Sequence, residues 1–175
     1  MEIRKRKVTF LAACLASVAG LLHAQSGWQQ IKPGTSKRSD IERLVGPPVQ
    51  AITDTLAEYK SVQAGDRAFV HYRSSGLAGI VDRLEILAAS PLEHSAAMRT
   101  LGLTGPPEVS KPNARGKTEE YFGSALIVLT LGNTGVERYS YYSKDLFEAA
   151  GGKIGAPTAP TVNITDEVSH PSVLP

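Results

Sequence analysis

The side chains able to do chemistry are few and poorly grouped. Beyond residue 24 the histidines are His71, His94 and His170. None stands at a His-x-x-x-His spacing, so the sequence gives a metal site poor support. His71 alternates with Phe69 in a strand-like run, where histidine is more often a satisfied or surface residue than a general base. His71, Asp82 and a serine could be assembled into a Ser-His-Asp site, but the Gly-x-Ser-x-Gly nucleophile elbow is absent. Gly116-Lys117-Thr118 has the ending of a phosphate loop. That motif needs a glycine five residues before Gly116, and Lys111 is there. Lys111, Arg115 and Lys117 read instead as a solvated basic loop. No cofactor is implied, and a hydrolase using His71 with Asp82 is a minor alternative to a non-enzymatic protein.

The tyrosines are the better functional hint. Tyr59, Tyr72, Tyr121, Tyr139, Tyr141 and Tyr142 all fall in strand-like runs, and the last three crowd one of them. Tyr139 and Tyr141 match Leu84 and Ile86 of an earlier run, the reading of a core face. Tyr142 points the other way, on the side of Arg138, where tyrosine with arginine suits a protein-recognition surface. Core and interface both stand for this cluster. Asp82-Arg83 and Glu137-Arg138 recur at matched positions, as a twofold carboxylate site or, more simply, as cross-strand ion pairs on a solvated face.

These residues belong to a chain whose middle repeats. Gly46-Pro47-Pro48 returns as Gly105-Pro106-Pro107, at an offset of 59. The stretch from Gly76 to Leu84 returns from Gly132 to Tyr139, so one supersecondary unit is used twice. Each copy starts on a capping-box pattern, Ser39-Asp40-Ile41-Glu42 and Ser90-Pro91-Leu92-Glu93. Each then gives three strands: Leu56 to Ser61, Ala68 to Arg73 and Ile80 to Leu87, then Glu119 to Gly123, Ala125 to Leu131 and Val136 to Tyr142. Ile80, Leu84 and Ile86 alternate with Val81, Arg83 and Glu85, the period of a half-buried strand. Ala125 to Leu131 is almost wholly apolar and reads as a central strand covered on both faces. The expected fold is α+β: two tandem helix-plus-three-stranded-meander repeats, about 28–88 and 89–148, forming an antiparallel sheet with both helices on one face.

Residues 1–24 read as a signal peptide. Arg4-Lys5-Arg6-Lys7 precedes an apolar run from Val8 to Leu22, with cleavage after Ala24. Leu11-Ala12-Ala13-Cys14 matches a bacterial lipobox, which if used would lipidate Cys14 and tether the protein to a membrane. The leader holds 4 of the 19 Lys and Arg and 1 of the 17 Asp and Glu, leaving 15 against 16. The basicity is that of the leader, and a nucleic-acid partner has no basis in the remaining chain. Cys14 is the 1 cysteine, so disulfides and thiolate chemistry are excluded beyond the leader. Residues 149–175, rich in Gly, Pro, Ala and Thr, read as a flexible tail. Val162-Asn163-Ile164 within it could add an edge strand, and Asn163-Ile164-Thr165 fits the N-glycosylation pattern.

The stretch from Trp28 through Pro33-Gly34, Ser36, Asp40-Ile41, Leu44-Val45 and Gly46-Pro47-Pro48 resembles the opening motif of the SmpA/OmlA-type domain. That domain is found in small lipoproteins of the outer-membrane β-barrel assembly machinery, and the motif's residues are structural. The doubled unit is similar to the two-copy arrangement of the tandem-repeat β-lactamase inhibitor protein. The resemblance implies a secreted or periplasmic protein-binding or scaffolding module in envelope assembly, or a proteinaceous enzyme inhibitor. The expected partner is a protein. The expected binding residues are Tyr139, Tyr141, Tyr142, Arg138, Lys111, Arg115 and Lys117.

Overall fold

The computed structural model describes residue 28, residues 30–61 and residues 63–155. The expected leader, Cys14 and the sequence from Ala156 on, with Asn163 and His170, lie outside them.

The first half of the fold is helix α1 (Arg38–Val45) followed by strands β1 (Gln50–Thr53), β2 (Leu56–Lys60), β3 (Arg67–Tyr72) and β4 (Val81–Leu92). The second is α2 (His94–Thr100), β5 (Val109–Pro112), β6 (Thr118–Phe122), β7 (Ile127–Leu131) and β8 (Val136–Tyr142), followed by α3 (Lys144–Ala149). All eight strands form one antiparallel sheet in the order β1-β2-β3-β4-β8-β7-β6-β5. The long final strand of each half pairs with the other at the centre, and β1 and β5 are the edges.

This overturns the expectation of two helix-plus-three-strand repeats. The molecule is mainly an eight-stranded sheet with three short helices of 8, 7 and 6 residues. β1 and β5 are four-residue edge strands whose side chains are exposed or half-buried, too short and too polar to show a period of two. The helices do not share one face either. Ile41 of α1 and Ala97 of α2 pack on one side of the sheet, while Phe147 of α3 packs on the other.

The helix starts also differ from the expected boxes. The N-cap of α1 is Lys37, whose backbone N–H donates to Asp40 Oδ2 at 2.8 Å. Ser90 and Pro91 belong to β4, where Leu92 still pairs with Val136. Glu93 itself caps α2, its carboxylate accepting from the N–H groups of Ser95 and Ala96.

The main core lies under α1 and α2. One cross-strand row runs Ala57, Val70, Leu84, Tyr141, Ile127, Phe122. The next runs Tyr59, Ala68, Ile86, Tyr139, Leu129. Together these residues form two adjoining clusters that share Tyr139 and Tyr141. The Tyr59 and Tyr72 hydroxyls meet at 2.7 Å within this core, which satisfies both. The apolar β7 is buried along four of its five residues, with α2 on one face and α3 on the other.

Two bulges decide which side chains reach the opposite face. On β4, His71 faces Arg83 and Tyr72 faces Val81, so Asp82 is an extra residue. On β8, Thr130 faces Arg138 and Leu131 faces Val136, so Glu137 is extra. In regular strands residues two apart share a face. The inserted acid breaks that rule, so Val81 and Val136 stay fully buried in the core while Arg83 and Arg138 emerge on the far side. The strict alternation expected from Ile80 to Leu87 fails at this point: Ile80 is half-buried and Val81 is buried.

Candidate functional site

The face opposite α1 and α2 is divided. One cross-strand row crosses its middle: Glu58, Phe69, Glu85, Ser140, Val128, Tyr121, Val109. From Val128 onward α3 covers it, with Phe147 fully buried against Tyr121, Val128 and Tyr142. The chain after α3 continues this cover. Lys111 Nζ donates to the Ala150 carbonyl at 2.6 Å, and Gly123 lies against the backbone of Lys153 so closely that any Cβ there would clash. The described fold therefore extends through Gly155, past the expected start of a tail at 149. From Glu85 toward Glu58 no described helix covers the face.

The uncovered half carries an ion network centred on Glu85. Arg138 Nη1 lies 3.3 Å from Glu85 Oε2, Arg83 Nη2 lies 3.7 Å from it, and His71 Nε2 is 3.7 Å from Oε1. Arg138 also reaches Glu119 at 3.6 Å and donates from Nε to Thr130 Oγ1 at 3.2 Å. Burial alone would push the Glu85 carboxyl up. The neighbouring His71, Arg83 and Arg138 outweigh burial and hold it below the usual carboxylate range. The guanidiniums carry most of this effect, because 3.7 Å is beyond hydrogen-bond reach for His71.

Arg83 sits at the heart of the network. Its Nη2 is 2.9 Å from His71 Nε2. A guanidinium only donates, so the His71 ring nitrogen is the acceptor in this contact. Arg83 also lies over the Tyr142 ring at 5.6 Å. Its buried Nε has no hydrogen-bond partner among the described residues.

The expected site residues fall into three places. Tyr139 and Tyr141 are core residues, edge to face at 6.1 Å, and burial pushes the Tyr141 hydroxyl up to about 12. Tyr142 does point to the other face, yet α3 buries it to 8% exposure. The cluster is thus engaged in packing, Tyr139 and Tyr141 half-buried against the core and Tyr142 under α3. Lys111 is engaged with Ala150 and lies over the Tyr121 ring at 4.7 Å. Arg115, Lys117 and Arg138 do converge, around a pocket of about 70 Å³ that Leu87, Thr130 and Glu137 also line.

The catalytic alternative finds no shared geometry. Asp82 is held by Arg73 at 2.7 Å and by Ser143 Oγ at 3.2 Å, whereas His71 faces Arg83 and Glu85. His94 pairs with Glu120 at 2.7 Å on the core side. Among the described residues no group of three or more His, Cys, Asp or Glu is placed to hold a metal ion, and no helix is long and apolar enough to cross a membrane. Of the two matched acid–Arg pairs, each acid pairs locally, Asp82 with Arg73 and Glu137 with Lys117, while both arginines turn to Glu85. Glu85 was missed in sequence because the pairing of β4 with β8, which brings Arg138 beside it, is not written in either strand alone.

No protein-family model matches the chain, and no curated protein matches it in sequence. Among solved structures, the fold is similar to a DUF4309-family protein, YjgB, from Bacillus subtilis. The two share 11% identity over 70% of this chain and 92% of that one, with a TM-score of 0.50. At that identity the likeness is one of fold alone. A cysteine-rich secretory protein from Staphylococcus aureus aligns at 11% identity over 75% of this chain, with a TM-score of 0.40 that carries no weight. The chain spans 51% of that protein's length.

Proposed function

We propose that this is an exported, non-enzymatic protein-binding module that meets a protein partner through the uncovered half of its polar sheet face. The observation that carries this is the divided face. One half is closed by α3, whereas the other presents Phe69, an exposed Leu87 and an ordered ion network around Glu85. Charged groups held by mutual pairing keep a fixed geometry, and a fixed geometry lowers the entropy lost on docking. Export is supported by the leader pattern of residues 1–24, and a role in the envelope by the resemblance of Trp28 to Pro48 to the SmpA/OmlA-type motif.

The test is cross-linking of the tagged chain in envelope extract, followed by comparison of variants that keep the native circular dichroism spectrum. A partner lost on Phe69→Ser and Leu87→Ser but retained on Lys144→Ser and Glu148→Ser, which alter α3, supports the proposal. A partner retained by all four variants, or lost only when α3 is altered, refutes it.

A further inference from the structure

The pocket between β4, β8 and the β5–β6 turn has a charge pattern that specifies part of the partner. It lies where two register breaks meet. The β4–β8 ladder breaks after Leu87 and Arg138, and the β7–β8 ladder breaks at Glu137. Bulges at such places re-aim side chains out of the pleat. Here they leave Leu87 as an apolar floor, 36% exposed, with Arg138 beside it.

The turn supplies the remaining wall, and its shape is fixed by one side chain. Asn113 Oδ1 accepts from the N–H groups of Arg115 at 2.9 Å and Lys117 at 3.1 Å. Gly116 adopts a positive φ of 73°, a conformation that favours glycine. Arg115 and Lys117 are thereby held at the mouth of the pocket. Lys117 is paired with Glu137, and Arg138 is shared among Glu85, Glu119 and Thr130. The Arg115 guanidinium has no side-chain partner among the described residues.

Resting on the protein-binding reading above, we infer that this pocket receives a carboxylate side chain from an acidic segment of the partner protein. Arg115, Lys117 and Arg138 set three cations against the one carboxylate of Glu137 in the lining. A site of that balance is complementary to negative charge. Glu85 and Glu119 already draw on Arg138, so a single negative charge is matched better than the double charge of a phosphate. About 70 Å³ has room for a carboxylate and little more. The free guanidinium supplies the planar fork that pairs with two carboxylate oxygens at once.

The test titrates the full chain with an acetylated, amidated Asp-Glu-Asp-Glu peptide and with its Asn-Gln-Asn-Gln counterpart, followed by backbone amide NMR shifts. The expected result is saturable shifts at Arg115–Lys117, Thr130 and Arg138 with the acidic peptide alone, weakening as salt rises. Arg115→Ala should weaken binding about tenfold or more, the size of one charge-assisted contact. Arg115→Glu should abolish it while the amide spectrum elsewhere stays native, since Arg115 is exposed and its side chain makes no hydrogen bond or ion pair among the described residues. Equal shifts with the neutral peptide, shifts centred on other surfaces, or full affinity in Arg115→Glu would each overturn the inference. If Arg115→Glu still captures the partner that Phe69→Ser and Leu87→Ser lose, the pocket assignment fails and the sheet-face proposal stands.

Discussion

Two stretches of a single cross-strand row behave oppositely. Glu58, Phe69 and Glu85 lie in the first half of the sheet, and Val128, Tyr121 and Val109 continue the row in the second. They share a face and a pleat. The second stretch is apolar because α3 lays Phe147 on it, and the first is ionic because no described helix does so. Residue type along a strand therefore reports what covers it as much as which way it points. A six-residue helix with one buried aromatic ring is enough to turn one half into core and leave the other as surface.

The largest expected effect tests that division. Phe147→Ala empties the centre of the α3 cluster and should destabilise the fold by about 3–5 kcal/mol. Phe69→Ala, in the uncovered stretch, should cost less than about 1 kcal/mol, since its ring is partly solvated and covered mainly by the Arg67 guanidinium at 4.8 Å. Urea unfolding of the two variants measures both. Similar losses would mean that the first half is also covered in solution, and the comparison would break.

The strands of this division were largely legible in the sequence, and the cover was not. The six expected strands overlap β2, β3, β4, β6, β7 and β8, with β4 running on to Leu92, because apolar residues recur along each of them. The edges β1 and β5 escaped because a short exposed strand shows no apolar period. α3 escaped because Lys144 to Ala149 is too short for helical periodicity, and it sits next to the Gly-rich sequence. The site suffered the same fate. Arg115, Lys117 and Arg138 were singled out by charge, and the structure brings these three together. Tyr142 points to the expected face, and its cover is invisible in the sequence, since nothing in its own strand announces Phe147. Glu85 was invisible as a centre. Its partner Arg138 reaches it across the β4–β8 pairing, and the pattern along a single strand does not say which strand lies beside it.

A middle-sized effect sharpens what the uncovered half is made of. Glu85→Gln keeps the shape but leaves Arg83 without a counter-charge and Arg138 with Glu119 alone, and should cost about 1–2 kcal/mol at neutral pH. The pH dependence has a definite sign. The native carboxyl titrates below its unfolded counterpart, so its contribution is present above the unfolded value, about pH 4, and is lost as pH falls through the lowered native value. Thermal unfolding of the parent should therefore lose more on acidification from pH 6 to pH 3 than that of Glu85→Gln. Parallel curves for the two proteins would show that the Glu85 network contributes nothing.

The smallest effect concerns a more exposed acid–cation pair on this side of the sheet. Lys117 and Glu137 are also in contact, yet their side chains are 42% and 30% exposed, against 15% for Glu85. Water screens such a pair and competes for both partners, so Glu137→Gln should change stability by about 0.5 kcal/mol or less, and high salt should erase even that. The same substitution removes the one acid from the pocket lining and releases Lys117, so it should tighten acidic-peptide binding while barely moving the unfolding midpoint. Opposite responses from two carboxylates on neighbouring strands, one acting on stability and one on binding, would separate the Glu85 network from the pocket. If Glu137→Gln instead destabilises as much as Glu85→Gln, the two belong to one network, and the pocket is a part of the scaffold.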